Sequence, residues 1–132
     1  MPMQFSIDVE RNLVLGEASG ALTEYEFIIA AAKIVDATRG GALYRPMLLL
    51  FGEDLSLHNI DYSSLVRIKD QILRWVEIYS GRRVRTALVA RDLTHVPLAR
   101  MWQALTEAYP DVGTTVKVFD DEASAIEWLT AP

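Results

Sequence analysis

The sequence predicts an α/β domain: a mostly parallel sheet opened by an N-terminal antiparallel hairpin, with helices packed on it in the order β-β-α-β-α-β-α-β-α. Three observations carry this reading. Stretches of period two or of unbroken apolar character, such as "QFSIDV", "MLLLF" and "VRTALVA", alternate with stretches whose apolar residues recur every three or four positions. Glycine or proline punctuates many of the junctions. Connections of helical length between successive strands then require parallel pairing through right-handed crossovers.

Taken in order, Phe5, Ile7 and Val9 alternate, the polar pair Arg11-Asn12 turns the chain, and Leu13 and Leu15 resume, as in a hairpin whose second strand Gly16 and Gly20 break. The first helix, "LTEYEFIIAAAKIVDATRGG", has Thr23 and Glu26 at capping-box spacing and Gly40-Gly41 beyond its last turn. Met47 to Phe51 form an unbroken apolar run after a proline, which predicts a central strand covered on both faces, parallel to those at 84–90 and 115–119. A second helix presents Leu65, Ile68, Ile72, Val76 and Tyr79 on one face and stops at Gly81. The strand "VRTALVA" follows, then a helix that tolerates Pro97 in its first turn and turns Leu98, Met101, Trp102 and Leu105 inward. "TTVKVF" is the last strand, and Asp120 or Asp121 caps a final helix with Ile126 and Leu129 inward.

The 132 residues suit one domain with one core, and their composition, about half apolar and a quarter charged, is that of an ordered globular protein. A net charge of −5 argues against a nucleic-acid partner, since phosphate contacts need a surplus of Lys and Arg on one surface. The cluster "GRRVR" at 81–85 reads as a solvated edge. The absence of cysteine removes disulfides, thiol nucleophiles and thiolate metal sites. No window reaches the length of a membrane span and the first residues have no signal-peptide pattern, so a cytoplasmic protein is expected.

Several phrases resemble the SpoIIAA-like branch of the STAS domain superfamily: "LVLGEASGALTEYEF" (13–27), "RVRTALVA" (83–90), "LARMWQAL" (98–105) and "VKVFDDEASAIEWL" (116–129). The resemblance covers nearly the whole chain. It implies a bacterial, non-catalytic regulatory or protein-interaction domain like the anti-sigma-factor antagonists, with a partner of regulatory-kinase or sigma-regulator type and self-association as a homodimer. In that family a phosphorylated serine opens the helix after the central strand, typically in an Asp-Ser-Ser/Thr-Gly phrase. Here the stretch is Asp61-Tyr62-Ser63-Ser64-Leu65, with Tyr62 in the usual serine's place and no glycine after the pair.

Ser63 and Ser64 therefore have two readings, as phosphorylation sites or as residues that cap a helix through a side-chain oxygen, and capping needs no regulatory explanation. The loop "FGEDLSLHNID" leaves the carboxyl end of the central strand, where ligands collect in open α/β sheets, so Glu53, Asp54, His58, Asp61 and Tyr62 are the partner- or ligand-binding candidates. Their spacing matches no metal motif, and a hydrolase using this acidic loop is the weakest of the readings. His95 is expected as a surface or capping histidine. Ser80-Gly81 lacks a nucleophile elbow, the glycines form no phosphate-binding loop, and no catalytic group or cofactor is expected. Trp75, towards the flank of its helical stripe, is either a partner-binding anchor or a cover for the core edge. The fold implied by the resemblance is also similar to CRAL-TRIO lipid-transfer domains. Phe27, Ile28, Ile29, Leu48, Leu50, Ile72, Trp75 and Trp102 suffice to line an apolar cavity, although a core of native density needs about that many large side chains simply to fill it. A small apolar-ligand binding module is accordingly the alternative function.

Overall fold

The N-terminal hairpin is closed by local chemistry. Asp8 accepts from the backbone N–H of Arg11 at 3.0 Å and pairs with its guanidinium at 2.7 Å, while Asn12 takes the left-handed conformation that a short amide side chain tolerates (φ 55°). The computed structural model, which describes residues 3–37, 45–79 and 83–132, places β1 (Met3–Asp8) antiparallel to β2 (Leu13–Ala18). Val9 falls in the turn, 84% exposed, and not at the inward strand position that alternation suggests, because the Asp8–Arg11 clasp ends the strand first.

Parallel strands β3 (Met47–Phe51), β4 (Val84–Val89) and β5 (Thr114–Phe119) complete a five-stranded sheet of order β1-β2-β3-β4-β5, with β2, β3, β4 and β5 mutually parallel. The apolar run Met47–Phe51 is thus the central strand, parallel to its neighbours as expected. Between strands lie α1 (Glu24–Ala37), α2 (Tyr62–Tyr79) and α3 (Val96–Ala108); α4 (Glu122–Thr130) ends the chain, and a 3₁₀ turn (Pro110–Val112) precedes β5. Gly40, Gly41, Ser80 and Gly81, with Arg82 of the arginine cluster, lie outside the described residues, as do the side chains of Val76 and Tyr79.

The two faces of the sheet are covered unequally. Met3, Ala18, Leu49, Leu88 and Val116 pack under α1, α2 and α3. On the opposite face Leu13, Leu48, Ala87 and Val89 meet Ala125 and Leu129 of α4, with Ile126, Trp128 and Phe119 against them. The residues of β1 that share that face, Gln4 and Ser6, are exposed, so one helix covers about the β3–β5 half. Helix α4 is fixed at both ends: Asp121 accepts from the Ser124 N–H at 2.7 Å, and Arg85 donates to the Trp128 and Ala131 carbonyls at 2.6 and 2.9 Å, a cation at the negative end of the helix dipole. Arg83 donates to Thr115 Oγ1 and to the Pro110 carbonyl, so both described arginines of the cluster serve the fold.

Gly16 does not break β2; it lies opposite Phe5 in the hairpin register, and a Cβ there would stand 2.8 Å from both Phe5 and Leu49 side-chain atoms. The glycine is a site of close packing. In α3 Ala99, Leu105 and Thr106 are buried, half-buried Leu98 and Trp102 join them on the inward face, and Met101 points outward. The helical phase is set by Ala99 and Thr106, the latter satisfying its hydroxyl on the Trp102 and Gln103 carbonyls.

Just past β3, Gly52 donates to the Ala18 carbonyl at 2.8 Å, and a Cβ at this position would lie 2.9 Å from that same oxygen. Backbone cannot step aside as a side-chain tip can. Gly52→Ala is therefore expected to lower the free energy of unfolding by about 1–3 kcal/mol in urea denaturation, and an unchanged midpoint would show that the strand end yields.

Candidate functional site

Two features of the α1–α3 side bear on function: the start of α2 and the space beneath it. Asp61 is the residue that caps α2. Its Oδ1 accepts from the Ser64 N–H at 2.9 Å and the Ser64 hydroxyl at 3.1 Å, while the Asp61 N–H reaches back to Ser64 Oγ at 3.2 Å. This is a reciprocal box with acid and hydroxyl exchanged from the usual order. Ser64 is 4% exposed, whereas Ser63 and Tyr62 stand on the solvent side of the first turn. Helical phase separates the two serines, because Ser64 shares the inward face with Leu65 and Ile68.

The same corner joins α1 to α2. Arg67 donates from Nε to both Glu24 oxygens at 2.8 Å, and its Nη2 stands 2.7 Å from Oε1. Arg67 holds the Glu24 carboxyl below its ordinary range, and the backbone N–H of Ser64, followed by its hydroxyl, does the same for Asp61.

The loop from Gly52 to Asp61 is not the solvated polar excursion its composition suggests. Ser56 bonds with the 20–22 segment on both sides, and Leu55 and Ile60 are buried. Glu53, Asp54 and His58 project from it into solvent, and Asp61 is occupied with its cap. Among the described residues no three His, Asp or Glu side chains converge as a metal set. His95 stands at the N-cap position of α3, as one expectation had it, but it is neither on the surface nor a side-chain cap. It is 2% exposed, makes no side-chain cap to α3, and sets Nε2 2.7 Å from the Leu55 carbonyl with its ring edge to Phe51. That geometry needs a proton on Nε2, and the buried Nδ1 then has no partner among the described residues. Two polar neighbours, Asp92 and Thr94, mask this burial in the sequence; no periodic signal reveals it.

Between the sheet and α1–α3 lies a cavity of about 170 Å³. Phe27, Ile72, Trp75 and Trp102 line it, as do Leu55 and Ile60 from the loop. Trp75 thus turns towards this space, half-buried, while Leu48 and Leu50 belong to the α4 face and take no part. Phe27, Ile72 and Trp102 pack against the core as fillers would, and they also border this space. Ala18, Ala31 and Ala99 stand in the lining where larger side chains would close the gap.

Compared with protein-family models, curated proteins and solved structures, the chain gives no match.

Replacing Ser64 by alanine is expected to cost on the order of 1 kcal/mol, by loss of the reciprocal box, and replacing Ser63 less than about 0.5 kcal/mol. Equal losses in chemical denaturation would contradict the assignment of Ser64 as the partner of Asp61. Acid should act through the same corner. Folding lowers the pKa of Glu24 and Asp61, so protons bind the unfolded chain first, and the stability these groups add is complete above about pH 5 and fades as pH falls through the carboxylate range. Melting temperatures measured from pH 6 to 3 should fall, and Asp61→Asn, which keeps an acceptor oxygen without the titrating group, should fall less steeply.

Proposed function

We propose that the domain is a non-catalytic, cytoplasmic binding module that takes a small apolar molecule between its sheet and helices α1–α3. The observation that carries this reading is the cavity. Protein interiors pack to crystal-like density with few voids larger than a water molecule, and an apolar void of comparable size, about 150 Å³, stays dry and admits a benzene-sized guest. A guest in a space of about 170 Å³ would supply packing that its lining side chains otherwise forgo.

The STAS-like regulatory reading is the second, favoured by the exposed first turn of α2. Tyr62 is 53% exposed beside the solvent-facing Ser63, so a protein partner would meet an aromatic ring and a modifiable hydroxyl at the positive end of a helix. A phosphate on Ser63 would stand there without displacing any buried group; on Ser64 it would destroy the capping box.

The cavity reading is tested by native mass spectrometry and by the emission of Trp75 and Trp102, which both line the space. Gently purified protein is expected to carry or take up one apolar molecule, for which 1-octanol serves as probe, with a change in tryptophan emission. Ala31→Phe, which fills the lining from α1, should weaken uptake at least tenfold while the protein stays folded. Absence of any uptake by the wild type would sink the reading and leave the regulatory one.

A further inference from the structure

The cavity is not uniformly apolar, and its polar groups are gathered at one end. Among the described lining residues the charged side chain is Arg45 and the hydroxyl-bearing ones are Thr86 and Thr114; the rest are apolar or glycine. All three belong to the amino-terminal ends of β3, β4 and β5. Met47 pairs with Thr86, and one step of the pleat earlier the parallel register sets Arg45 level with Val84, whose partner on β5 is Thr114. The opposite end, at the carboxyl ends of the strands, is lined by Leu55, Leu57 and Leu98.

The hydrogen-bonding capacity at the polar end is donor-rich. Arg45 is half-buried; its Nε donates to Asn12 Oδ1 of the hairpin turn at 3.1 Å in an exposed bond, and among the described residues its two terminal nitrogens have no hydrogen-bond partner. Thr86 Oγ1 and Thr114 Oγ1 are 2.5 Å apart. One proton lies between two hydroxyl oxygens at that distance, so the second hydroxyl proton is left to point elsewhere, and both side chains face the cavity. A guanidinium fork and a hydroxyl proton at one end of an apolar space match a planar group that only accepts.

Resting on the reading of the cavity as a ligand site, we propose that its ligand is an amphiphile with a carboxylate head: a medium-chain fatty acid or similar apolar acid whose head binds Arg45 and the Thr86–Thr114 pair and whose tail runs towards Leu57 and Leu98. A space slightly larger than one that admits benzene takes a tail on the order of six carbons, more where it opens to solvent. An ammonium head would meet a like charge and donors where it needs acceptors. An alcohol would keep the tail packing but lose the charge-assisted pair.

The test compares three probes of one chain length, octanoate, 1-octanol and octylammonium, by isothermal titration calorimetry and tryptophan emission near pH 7.5, below their aggregation concentrations. Wild-type protein is expected to bind octanoate at least tenfold more tightly than octanol and octylammonium most weakly. Arg45→Gln should bring octanoate to the level of octanol and leave octanol unchanged, so octanol reports whether the variant's cavity is intact. Thr114→Val, which leaves the Arg45–Asn12 bond alone, should weaken octanoate several-fold without affecting octanol, and it decides the matter if Arg45→Gln does not fold. Equal affinity of the wild type for octanoate and octanol, or an octanoate affinity untouched by both substitutions, overturns the carboxylate assignment and leaves the apolar cavity standing. Failure of the wild type to bind any of the three overturns both.

Discussion

The constraint from which the rest of this structure follows is that the parallel strands lie in the sheet in the order in which they occur in the chain. Right-handed crossovers that always step in the same direction place every connecting helix on one face. Helices α1, α2 and α3 therefore share a side, and the terminal α4, free of any crossover, is left to cover the other. The central strand needs cover on both faces because each of its residues is apolar. Three helices crowd one layer and a single short helix caps its counterpart. The crowded layer has the room to enclose a space; in the α4 layer Ala87 and Ala125 are both fully buried where helix and strand meet.

How that room stays open follows from which residues stand at the sheet–helix contact. Ala18 on β2, Ala31 on α1 and Ala99 on α3 are short where the layers are spaced by Phe27, Trp75 and Trp102. Large side chains set the separation and small ones fail to fill it. Gly16 belongs to the same logic: with no side chain of its own, it lets Phe5 and Leu49 lie over the strand. The buried loop residues Leu55 and Ile60, held by the Ser56 ladder to the 20–22 segment and by His95 to the start of α3, then line the carboxyl end of the layer.

Most of the element order was legible because each element satisfies its own local rules. The run Met47–Phe51 announced a two-sided strand, and the Thr23–Glu26 box appears with the Glu26 N–H bonded to Thr23 Oγ1 at 3.1 Å. What escaped the sequence is what depends on a second group. Val9 continues the alternation of β1 but is cut off by the Asp8–Arg11 ion pair that turns the chain around it. Met101 fits a helical stripe, yet the neighbouring phase, through Ala99, faces the sheet. His95 is buried only because a carbonyl forty residues earlier arrives beside it. The cavity was the least legible of all, since the residues that line a space and those that fill one are the same residues. Composition sets their number; only the spacing of the layers decides which they do.

The two functional readings meet on one helix. The outer side of α2 at its start carries Tyr62 and Ser63, while its inner side lends Leu65, Ile68, Ile72 and Trp75 to the cavity. Its position relative to α1 is held by the Glu24–Arg67 pair, an exposed contact of the kind that contributes modestly and yields readily. A ligand shifts such a helix only to the extent that it binds two of its positions unequally, and filling a void distinguishes them, because dispersion attraction to the guest falls steeply as the inner face draws away from it. Were both proposed sites occupied, linkage would make the effect reciprocal: a partner gripping the start of α2 would change the affinity of the cavity by the factor with which the cavity's guest changed the partner's. The capping box ties the two sides of that turn, for Asp61 opens the helix and its partner Ser64 stands on the buried face.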